Sequence, residues 1–365
     1  MKTWDVIVIG GGIIGLSLSI SLRKRGATVL VVERGEPGRE ASHAAGGMLV
    51  DCPLETPAAL QPLATASARL YPEFAYELEL ESGMKVDLRD QGTILFPSPD
   101  HAQRDAEFVA SHPLLAPLHQ IEPALVDWQN LAVYLKERSV DPRALSAAAW
   151  KTAKHRGVDF SSGDEVTAVT ITDGCASGVT TTKTAFHAAK VVNCAGAWSG
   201  QIKFGQTMSE SAKPHPVPTR PVKGQMLCLL MPSRTLLHHV VRTPQVYLIP
   251  RSDGRLLVGA TVEEAGFDKR TDLATIQRLH HAAIALVPKL ADAKILEDWA
   301  GLRPGTPDAL PILGVTATPG YYVATGHFRD GILLAPITAQ IMADVITAEK
   351  PALDLDAFSP SRFRV

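Results

Sequence analysis

Long apolar runs, a charge excess and clustered cysteines are all missing from this sequence, and each absence excludes a class of protein. Without a run of about eighteen apolar residues, no membrane-spanning helix is expected. The 36 basic and 38 acidic residues nearly balance, which disfavours nucleic-acid binding because such proteins usually carry a basic stripe. The 4 cysteines are scattered without CxxC pairs, so they indicate reduced, mostly buried thiols rather than disulfides or metal ligands.

The remaining composition is that of an ordinary globular protein, with 45% hydrophobic and 20% charged residues. Its 365 residues suffice for two domains or one large one. Asp5 interrupts the first apolar run, which therefore does not resemble a secretory signal, and we expect a cytoplasmic location. The histidine pairs at 238–239 and 280–281 lack partners at ligand spacing, so no metal is expected.

The start of the chain predicts a strand–helix–strand unit of about thirty residues. Residues 6–9 form a continuous apolar run, typical of a parallel strand covered on both faces. Residues 16–24 have the pattern of a helix that ends before Gly26, and residues 28–32 form a second strand. This order favours a Rossmann-type α/β domain.

The loop after the first strand carries the glycine pattern of a dinucleotide site. Gly10 permits a tight turn, Gly12 lets the backbone approach a pyrophosphate, and Gly15 allows close packing of helix on strand. Glu33 ends the second strand, where its carboxylate can accept hydrogen bonds from ribose hydroxyls, which favours FAD or NAD over NADP. The loop alone does not separate FAD from NAD.

Further along, the apolar and turn patterns predict a mixture of strands and helices. Asp141 is predicted to cap a helix that begins at Pro142. Four prolines in residues 213–221 predict a linker. We expect strands at 92–96, 158–160, 166–171, 178–182, 190–194, 225–230, 246–249, 255–260 and 321–325, and helices at 142–155, 273–286 and 332–347.

Several segments together resemble the D-amino-acid-oxidase-type flavoprotein family, and within it the glycine oxidases of thiamine biosynthesis. They span almost the whole chain in the expected order. The segments are SHAAGGML at 42–49, NCAGAWS at 193–199, RPVKG at 220–224, VYLIPR at 246–251, LVGAT at 257–261, WAGLRPGTPD at 299–308 and GHFRDGILLAP at 326–336.

The resemblance implies an α/β fold with a Rossmann-type FAD-binding domain, built on a parallel sheet plus a β-meander. It also implies a second, α+β substrate-binding domain on a mixed or antiparallel sheet. The expected FAD-binding domain is discontinuous, at 1–85, 141–215 and 301–365. The expected substrate domain comprises 86–140 and 216–300.

By the same resemblance, FAD is bound non-covalently, since no cysteine follows Cys228 where some relatives attach it. Val166 is expected at the adenosine, and the segment after the last strand is expected under the flavin ring. The full set of expected FAD-binding residues is Gly10, Gly12, Ile13, Ile14, Gly15, Glu33, Arg34, Ala41, Ser42, Gly46, Gly47, Met48, Val166, Gly326, His327, Phe328, Arg329, Asp330, Gly331, Ile332 and Leu333.

The implied substrate is glycine or another small amino acid. Arg303 occupies the position of the family's carboxylate-binding arginine, and a planar guanidinium suits that role. Tyr247 is expected to hold the same carboxylate, and Arg329 is the third candidate. Many relatives have Asn where this chain has Asp330, a difference that changes the local charge and bears on the fine substrate preference.

The expected reaction needs no dedicated general base: hydride passes from Cα to flavin N5. The resulting imine is hydrolysed to an oxo acid and ammonia, and dioxygen reoxidises the flavin to give hydrogen peroxide. Relatives also imply a homo-oligomer. The alternatives are a D-amino-acid or sarcosine dehydrogenase that passes electrons to another carrier, an NAD-dependent dehydrogenase, and a flavin-bearing scaffold or tRNA-modifying protein.

Overall fold

The computed structural model describes residues 2–98, 106–126, 131–205 and 216–363. The strands are β1 (Thr3–Ile9), β2 (Val29–Glu33), β3 (Met48–Leu49), β4 (Thr93–Leu95), β5 (Val133–Leu135), β6 (Arg138–Ser139), β7 (Asp159–Ser162), β8 (Val166–Thr172), β9 (Cys175–Thr181), β10 (Ala185–Asn193), β11 (Lys203–Phe204), β12 (Arg220–Leu230), β13 (Val240–Arg242), β14 (Tyr247–Pro250), β15 (Arg255–Gly259), β16 (Lys294–Gly305), β17 (Ile312–Val315) and β18 (Tyr321–Thr325). The helices are α1 (Ile13–Lys24), α2 (Ala41–Ala44), α3 (Gln61–Ser82), α4 (Ala106–Ser111), α5 (Leu118–Ile121), α6 (Pro142–His155), α7 (Leu273–Leu286) and α8 (Gly331–Ile346).

The first sheet has a parallel part in the order β18-β10-β1-β2-β7. The antiparallel meander β8-β9-β10 joins this sheet at β10. Because β1, β2, β10 and β18 are parallel, their carboxyl ends meet at one edge, where ligands bind in open α/β sheets. The Rossmann-type sheet with a meander is therefore confirmed.

Residues on β1 alternate between two cores. Val6 and Val8 pack among α1, α3, α6 and α8, whereas Ile7 and Ile9 pack against the meander. With both faces covered, residues 6–9 of the strand are all apolar and buried, as the sequence pattern predicts.

The second sheet, in the order β16-β12-β15-β14-β13-β4-β5, is mostly antiparallel, with β4 parallel to β13. Leu227 and Leu229 of β12 pack against α7. Their neighbours Met226 and Cys228 point to the opposite face of the sheet, where Met48 of β3 packs against them. The predicted mixed sheet is confirmed, and its inner face borders the site described below.

Several predicted elements have the observed bounds, including the helices at 142–155 and 273–286 and the strand at 321–325. The linker predicted at 213–221 is wrong at its end. Residues 213–215 lie outside the described residues, but Arg220 and Pro221 already belong to β12. Pro221 lies opposite Pro304 near the start of the strand, where a missing N–H is tolerated.

The sequence patterns do not predict α3, because Pro72 interrupts its helical pattern. Tertiary contacts hold this helix against α8. The buried Tyr71 hydroxyl donates to the carbonyl oxygen of Ile332 at 2.8 Å, and Ser67 Oγ donates to that of Leu333 at 2.6 Å. These contacts fix α3 against the start of α8, which borders the site.

Asp141 caps α6 and also links that helix to the second sheet. Its Oδ1 accepts from the amides of Arg143 and Ala144, and its Oδ2 accepts from Arg255 of β15 at 2.6 Å. Burial alone would raise the pKa of Asp141, but the guanidinium groups of Arg251 and Arg255 outweigh it and hold the pKa below its ordinary value.

We expect Asp141→Ala to lower the free energy of unfolding by about 1–2 kcal/mol, since cap and ion pair are both lost. Asp141→Asn keeps an N-cap and should cost less. Because the folded-state pKa is depressed, the ionic part of this stabilisation is present above about pH 4 and is lost as the pH falls further. Urea unfolding of both variants at pH 7 and pH 3.5 measures this, and a wild-type advantage over Asp141→Asn that does not shrink at pH 3.5 would contradict it.

No helix among the described residues is both long enough and apolar enough to cross a membrane. His239 does have a carboxylate partner: its Nδ1 lies 2.7 Å from Oε1 of the buried Glu122, an atom that also accepts from the amides of His238 and His239. The described part of the chain contains no group of His, Cys, Asp and Glu suited to hold a metal ion.

Candidate active site

A cavity of about 870 Å³ runs from the carboxyl edge of the first sheet to the inner face of the second. Its volume lies within the range of ligand and cofactor sites, roughly 300–1,000 Å³. The cavity is lined by the glycine loop and the start of α8, and by residues of β14 and β16 in the second sheet.

The glycine loop is shaped by close backbone contacts. Gly10 has φ +101°, and a Cβ on it would lie 2.6 Å from the carbonyl oxygen of Cys194. A Cβ on Gly15 would lie 2.0 Å from the carbonyl oxygen of Gly10, so Gly15 seats α1 against the strand. Gly12 differs, because its φ is −71° and the nearest atom to an added Cβ is Ser42 Oγ at 3.3 Å. Gly12 therefore keeps space open towards the cavity.

The start of α1 offers free donors to an anion. Ser42 Oγ accepts the amide of Ile13 at 2.9 Å, but the amides of Gly12 and Ile14 have no acceptor among the described residues. Together with the partial positive charge of the helix N-terminus, these donors match a pyrophosphate.

The buried Glu33 carboxylate organises this loop. Its Oε2 accepts the amide of Gly11 at 2.7 Å and its Oε1 accepts the amide of Gly35 at 2.8 Å. A carboxylate has about four acceptor positions, so two remain for ribose hydroxyls. Arg34, next along the chain, stacks 3.5 Å above the ring of Trp198 and pairs with Glu40 at 2.8 Å.

We expect Glu33→Gln to weaken FAD binding about 10- to 100-fold. Both Glu33 oxygens accept backbone amides, so the NH2 group of the new glutamine would face a backbone N–H that it cannot accept from. Leaving a buried donor unsatisfied costs about 1–3 kcal/mol. Titration of apoprotein with FAD, followed by flavin fluorescence, measures the change. Glu36→Gln, on an exposed residue of the same segment, is the control and should bind FAD like the wild type.

The start of α8 also borders the cavity, near the carboxyl edge of the first sheet. Burial lowers the pKa of His327 to about 3, so its ring is neutral, and Nε2 lies 3.1 Å from Thr338 Oγ1. Gly331 begins the helix, so its first-turn amides border the cavity. Such a helix start can stabilise negative charge on a flavin ring.

Arg303 of β16 and Tyr247 of β14 lie together in the second-sheet wall. The guanidinium Nη1 donates to the carbonyl oxygens of Lys223 at 3.3 Å and Thr261 at 3.0 Å. A Cβ on Gly224 would lie 2.3 Å from this nitrogen, so the absent side chain makes room for the guanidinium.

These two side chains affect each other's ionisation. Burial lowers the pKa of Arg303, while Tyr247 acts against that shift. Burial likewise raises the pKa of Tyr247, which the charge of Arg303 partly offsets. An arginine remains protonated in any protein environment. The pair therefore presents a fixed cation beside a neutral hydroxyl, which suits a carboxylate.

Sequence reasoning missed an acidic part of the same cavity. Arg242 is 4% exposed and pairs with Glu55 at 2.8 Å and Glu137 at 3.1 Å. Glu55 and Arg242 line the cavity, as does Asp330. Burial, with the charge of Glu55 adding to it and that of Arg329 opposing, raises the pKa of Asp330 to about 6. No local motif marks Glu55 or Arg242, because only the fold brings them together.

The structure places most of the expected site residues on this one cavity. Gly15, Gly326 and Leu333 do not line it, since all three are enclosed by neighbouring backbone or helices. The expected residues that do line it are Gly10, Gly12, Ile13, Ile14, Glu33, Arg34, Ala41, Ser42, Gly46, Gly47, Met48, Val166, Tyr247, Arg303, His327, Phe328, Arg329, Asp330, Gly331 and Ile332.

Comparisons with known proteins agree with this architecture. The family model "FAD dependent oxidoreductase" (DAO) matches residues 5–345. The bifunctional protein ThiO/ThiG of Trichormus variabilis is 34% identical over 99% of this chain, which spans 55% of that relative's length. The chain therefore spans about half the length of the first curated relatives it matches.

Two further relatives are similar over nearly their whole length. The hydrogen cyanide synthase subunit HcnC of Pseudomonas aeruginosa is 32% identical, over 100% of this chain and 97% of the relative. The crystal structure of glycine oxidase from Geobacillus kaustophilus superposes with a TM-score of 0.89 at 32% identity, over 98% of both chains. The glycine loop, the free amides at the start of α1 and the cavity all fit FAD. From the family model and these relatives, the chain belongs to the DAO family of FAD-dependent oxidoreductases.

Proposed function

We propose that this protein oxidises glycine or a similarly small amino acid, with FAD bound in the cavity described above. The observation that carries this proposal is the position of the Arg303 guanidinium beside the Tyr247 hydroxyl, in the same cavity as the glycine loop. Glycine oxidases are among the relatives of similar length, as in Geobacillus kaustophilus.

In this proposal the chain's own residues bind and orient the reactants. The amides at the start of α1 and the Glu33 carboxylate hold the dinucleotide. Arg303 binds the substrate carboxylate bidentately, Tyr247 donates a hydrogen bond to it, and Arg329 adds positive charge at the exposed end. Bound FAD supplies the acceptor for the hydride that leaves the substrate Cα.

Fixing the carboxylate determines which substrate atom faces the cofactor, and such positioning can supply several kcal/mol of rate enhancement. The walls around the clamp, including Met48 and Met226, shield the reacting carbon from water. The imine product then hydrolyses to an oxo acid and ammonia. We propose dioxygen as the final acceptor, with hydrogen peroxide as product.

The runner-up is a D-amino-acid or sarcosine dehydrogenase with a different electron acceptor. Neither cavity shape nor the arginine clamp distinguishes these donors, because all carry the same carboxylate. We also retain as proposals the discontinuous domain division, a cytoplasmic location and a homo-oligomer. Within the described residues, the two larger sheets have nine and seven strands and support the division into domains.

An anaerobic screen with glycine, sarcosine, D-alanine and D-proline tests the proposal. We expect glycine to bleach the flavin absorbance, and air to restore it with one peroxide formed per flavin. Bleaching without rapid recovery in air would favour the dehydrogenase. No bleaching by any of these amines, from a protein that dithionite does bleach, would contradict amino acid oxidation.

A further inference from the structure

We propose that Tyr71 and Ser67 of α3 are positioning residues for the flavin: their hydroxyls hold the first turn of α8, so that the free amides of that turn stabilise the negative charge of the reduced ring. This inference rests on FAD lying against the start of α8, as in the proposed function. It goes beyond that function because it concerns the reduction potential of the flavin, whichever amine is oxidised.

A proline inside α8 disturbs the first turn of that helix. Pro336 has no N–H, so it cannot donate to the carbonyl oxygen four residues earlier, and its ring crowds that carbonyl. In α8 this carbonyl belongs to Ile332. The next carbonyl, that of Leu333, has as its regular donor the amide of Ile337, directly after the proline. The hydrogen bonds that Pro336 removes or disturbs are therefore those of the turn that borders the cavity.

The two hydroxyls of α3 meet these two carbonyls. Tyr71 Oη donates to the carbonyl oxygen of Ile332 at 2.8 Å, and Ser67 Oγ donates to that of Leu333 at 2.6 Å. Tyr71 and Ser67 are four positions apart, so they project from one face of α3, and each is 0% exposed. Because a buried carbonyl without a donor is costly, these hydroxyls stabilise the turn where Pro336 weakens it.

The proline inside α3 shows a similar arrangement. Pro72 leaves the carbonyl of Ala68 without its regular helical donor. The Nη1 of Arg138, on β6, donates to that carbonyl oxygen at 3.4 Å. A side chain from a neighbouring element thus serves the carbonyl that each of these two helix-interior prolines frees. This recurrence supports the role of Tyr71 as a replacement donor.

The turn held in this way presents hydrogen-bond donors to the cavity. The amides of Gly331, Ile332 and Leu333 have no acceptor among the described residues, as expected at the start of a helix. The amide of Leu334 is the first to be served, by the carbonyl oxygen of Asp330 at 2.8 Å. A flavin ring gains negative charge on reduction, and aligned amides at a helix start stabilise such charge. A displaced turn would therefore make the flavin a weaker oxidant.

The test measures the flavin reduction potential of the Tyr71→Phe holoenzyme against a reference dye of known potential. Phenylalanine keeps the ring that packs edge-on against Phe74, but it leaves the Ile332 carbonyl without a donor. We expect the two-electron reduction equilibrium to fall about tenfold, which is a shift of about 30 mV to lower potential. Tyr76→Phe is the control: it removes the same hydroxyl from an exposed position of α3 and should keep the wild-type potential.

Pro336→Ala provides a rescue that a merely structural role of Tyr71 would not show. Alanine restores a backbone N–H opposite the Ile332 carbonyl, so Tyr71→Phe combined with Pro336→Ala should return the reduction equilibrium to within about twofold of the wild type. Pro336→Ala alone should change it little, since Tyr71 already serves the carbonyl. Ser67→Ala should lower the potential less than Tyr71→Phe, because the Leu333 carbonyl also has a backbone amide as donor.

A wild-type potential in both Tyr71→Phe and Ser67→Ala would overturn the proposal, as would a double variant whose potential stays as low as that of Tyr71→Phe. If Tyr71→Phe takes up no FAD, recovery of flavin binding in the double variant is the expected result, and a double variant that also stays colourless overturns the proposal. The dye titration needs no amino acid. A failure of the proposed substrate would therefore show in the amine screen alone, and a failure of the role of Tyr71 in the potentials alone.

Discussion

Replacing Arg303 with leucine is expected to lower kcat/KM for glycine by about 10²- to 10³-fold, while the protein still binds FAD. The guanidinium is partly buried, and it is the cation held beside Tyr247 in the second-sheet wall. Truncating one partner of such a charge pair costs about 3–4 kcal/mol, largely because the substrate carboxylate is left without a partner. The measurement is anaerobic flavin reduction against glycine concentration.

Arg303→Lys is the matched variant for this prediction. Lysine keeps the charge but lacks the planar fork that binds a carboxylate bidentately, so an intermediate loss is expected. FAD content should be unchanged in both variants, since Arg303 does not border the glycine loop. Normal glycine kinetics in Arg303→Leu would show that another group binds the carboxylate.

Replacing Gly12 with valine is expected to give a folded protein that binds no FAD. The backbone at Gly12 has φ −71° and ψ 176°, an extended conformation that any residue adopts. An added Cβ would meet Ser42 Oγ at 3.3 Å and no backbone atom within 4 Å, so the apoprotein should tolerate the larger side chain. The side chain would instead occupy the approach of the pyrophosphate to the amides of α1.

Absorbance at the flavin bands and thermal unfolding measure this together. The Gly12→Val protein should be colourless and should melt like FAD-stripped wild type, without the stabilisation that added FAD gives the wild type. Gly15→Ala gives a contrasting case, because its Cβ would overlap the carbonyl oxygen of Gly10 and should destabilise the apoprotein as well. A yellow Gly12→Val protein with wild-type FAD affinity would contradict the assigned role of the loop.

Local pattern was sufficient wherever one segment carries its own physical reason. The apolar run of β1, the glycine loop and Glu33 are consecutive parts of one unit, so sequence reasoning placed them together. The Asp141 cap and Pro142 likewise mark the start of α6 within two residues. The bounds of α6 were predicted correctly, whereas β1 and α1 each begin three residues before the predicted start and β10 and β12 each begin five residues before it.

Features made by distant segments could not be predicted in this way. Helix α3 contains Pro72 and owes its position to contacts with α8. Glu55, Glu137 and Arg242 come from three separate loops and strands, and nothing in their local sequence shows that they pair. The sequence shows Asp330 where many relatives have Asn. It does not show that the charge of Glu55 acts on the Asp330 carboxyl, because only the fold brings the two groups into the same cavity.

The most direct test of the account is a crystal structure of the FAD complex soaked with glycolate. We expect the flavin ring against the start of α8, and the glycolate carboxylate bound by the Arg303 guanidinium and the Tyr247 hydroxyl, with its Cα turned towards the ring. A flavin elsewhere, or a glycolate bound away from Arg303 while that guanidinium still donates to the carbonyl oxygens of Lys223 and Thr261 alone, would contradict it.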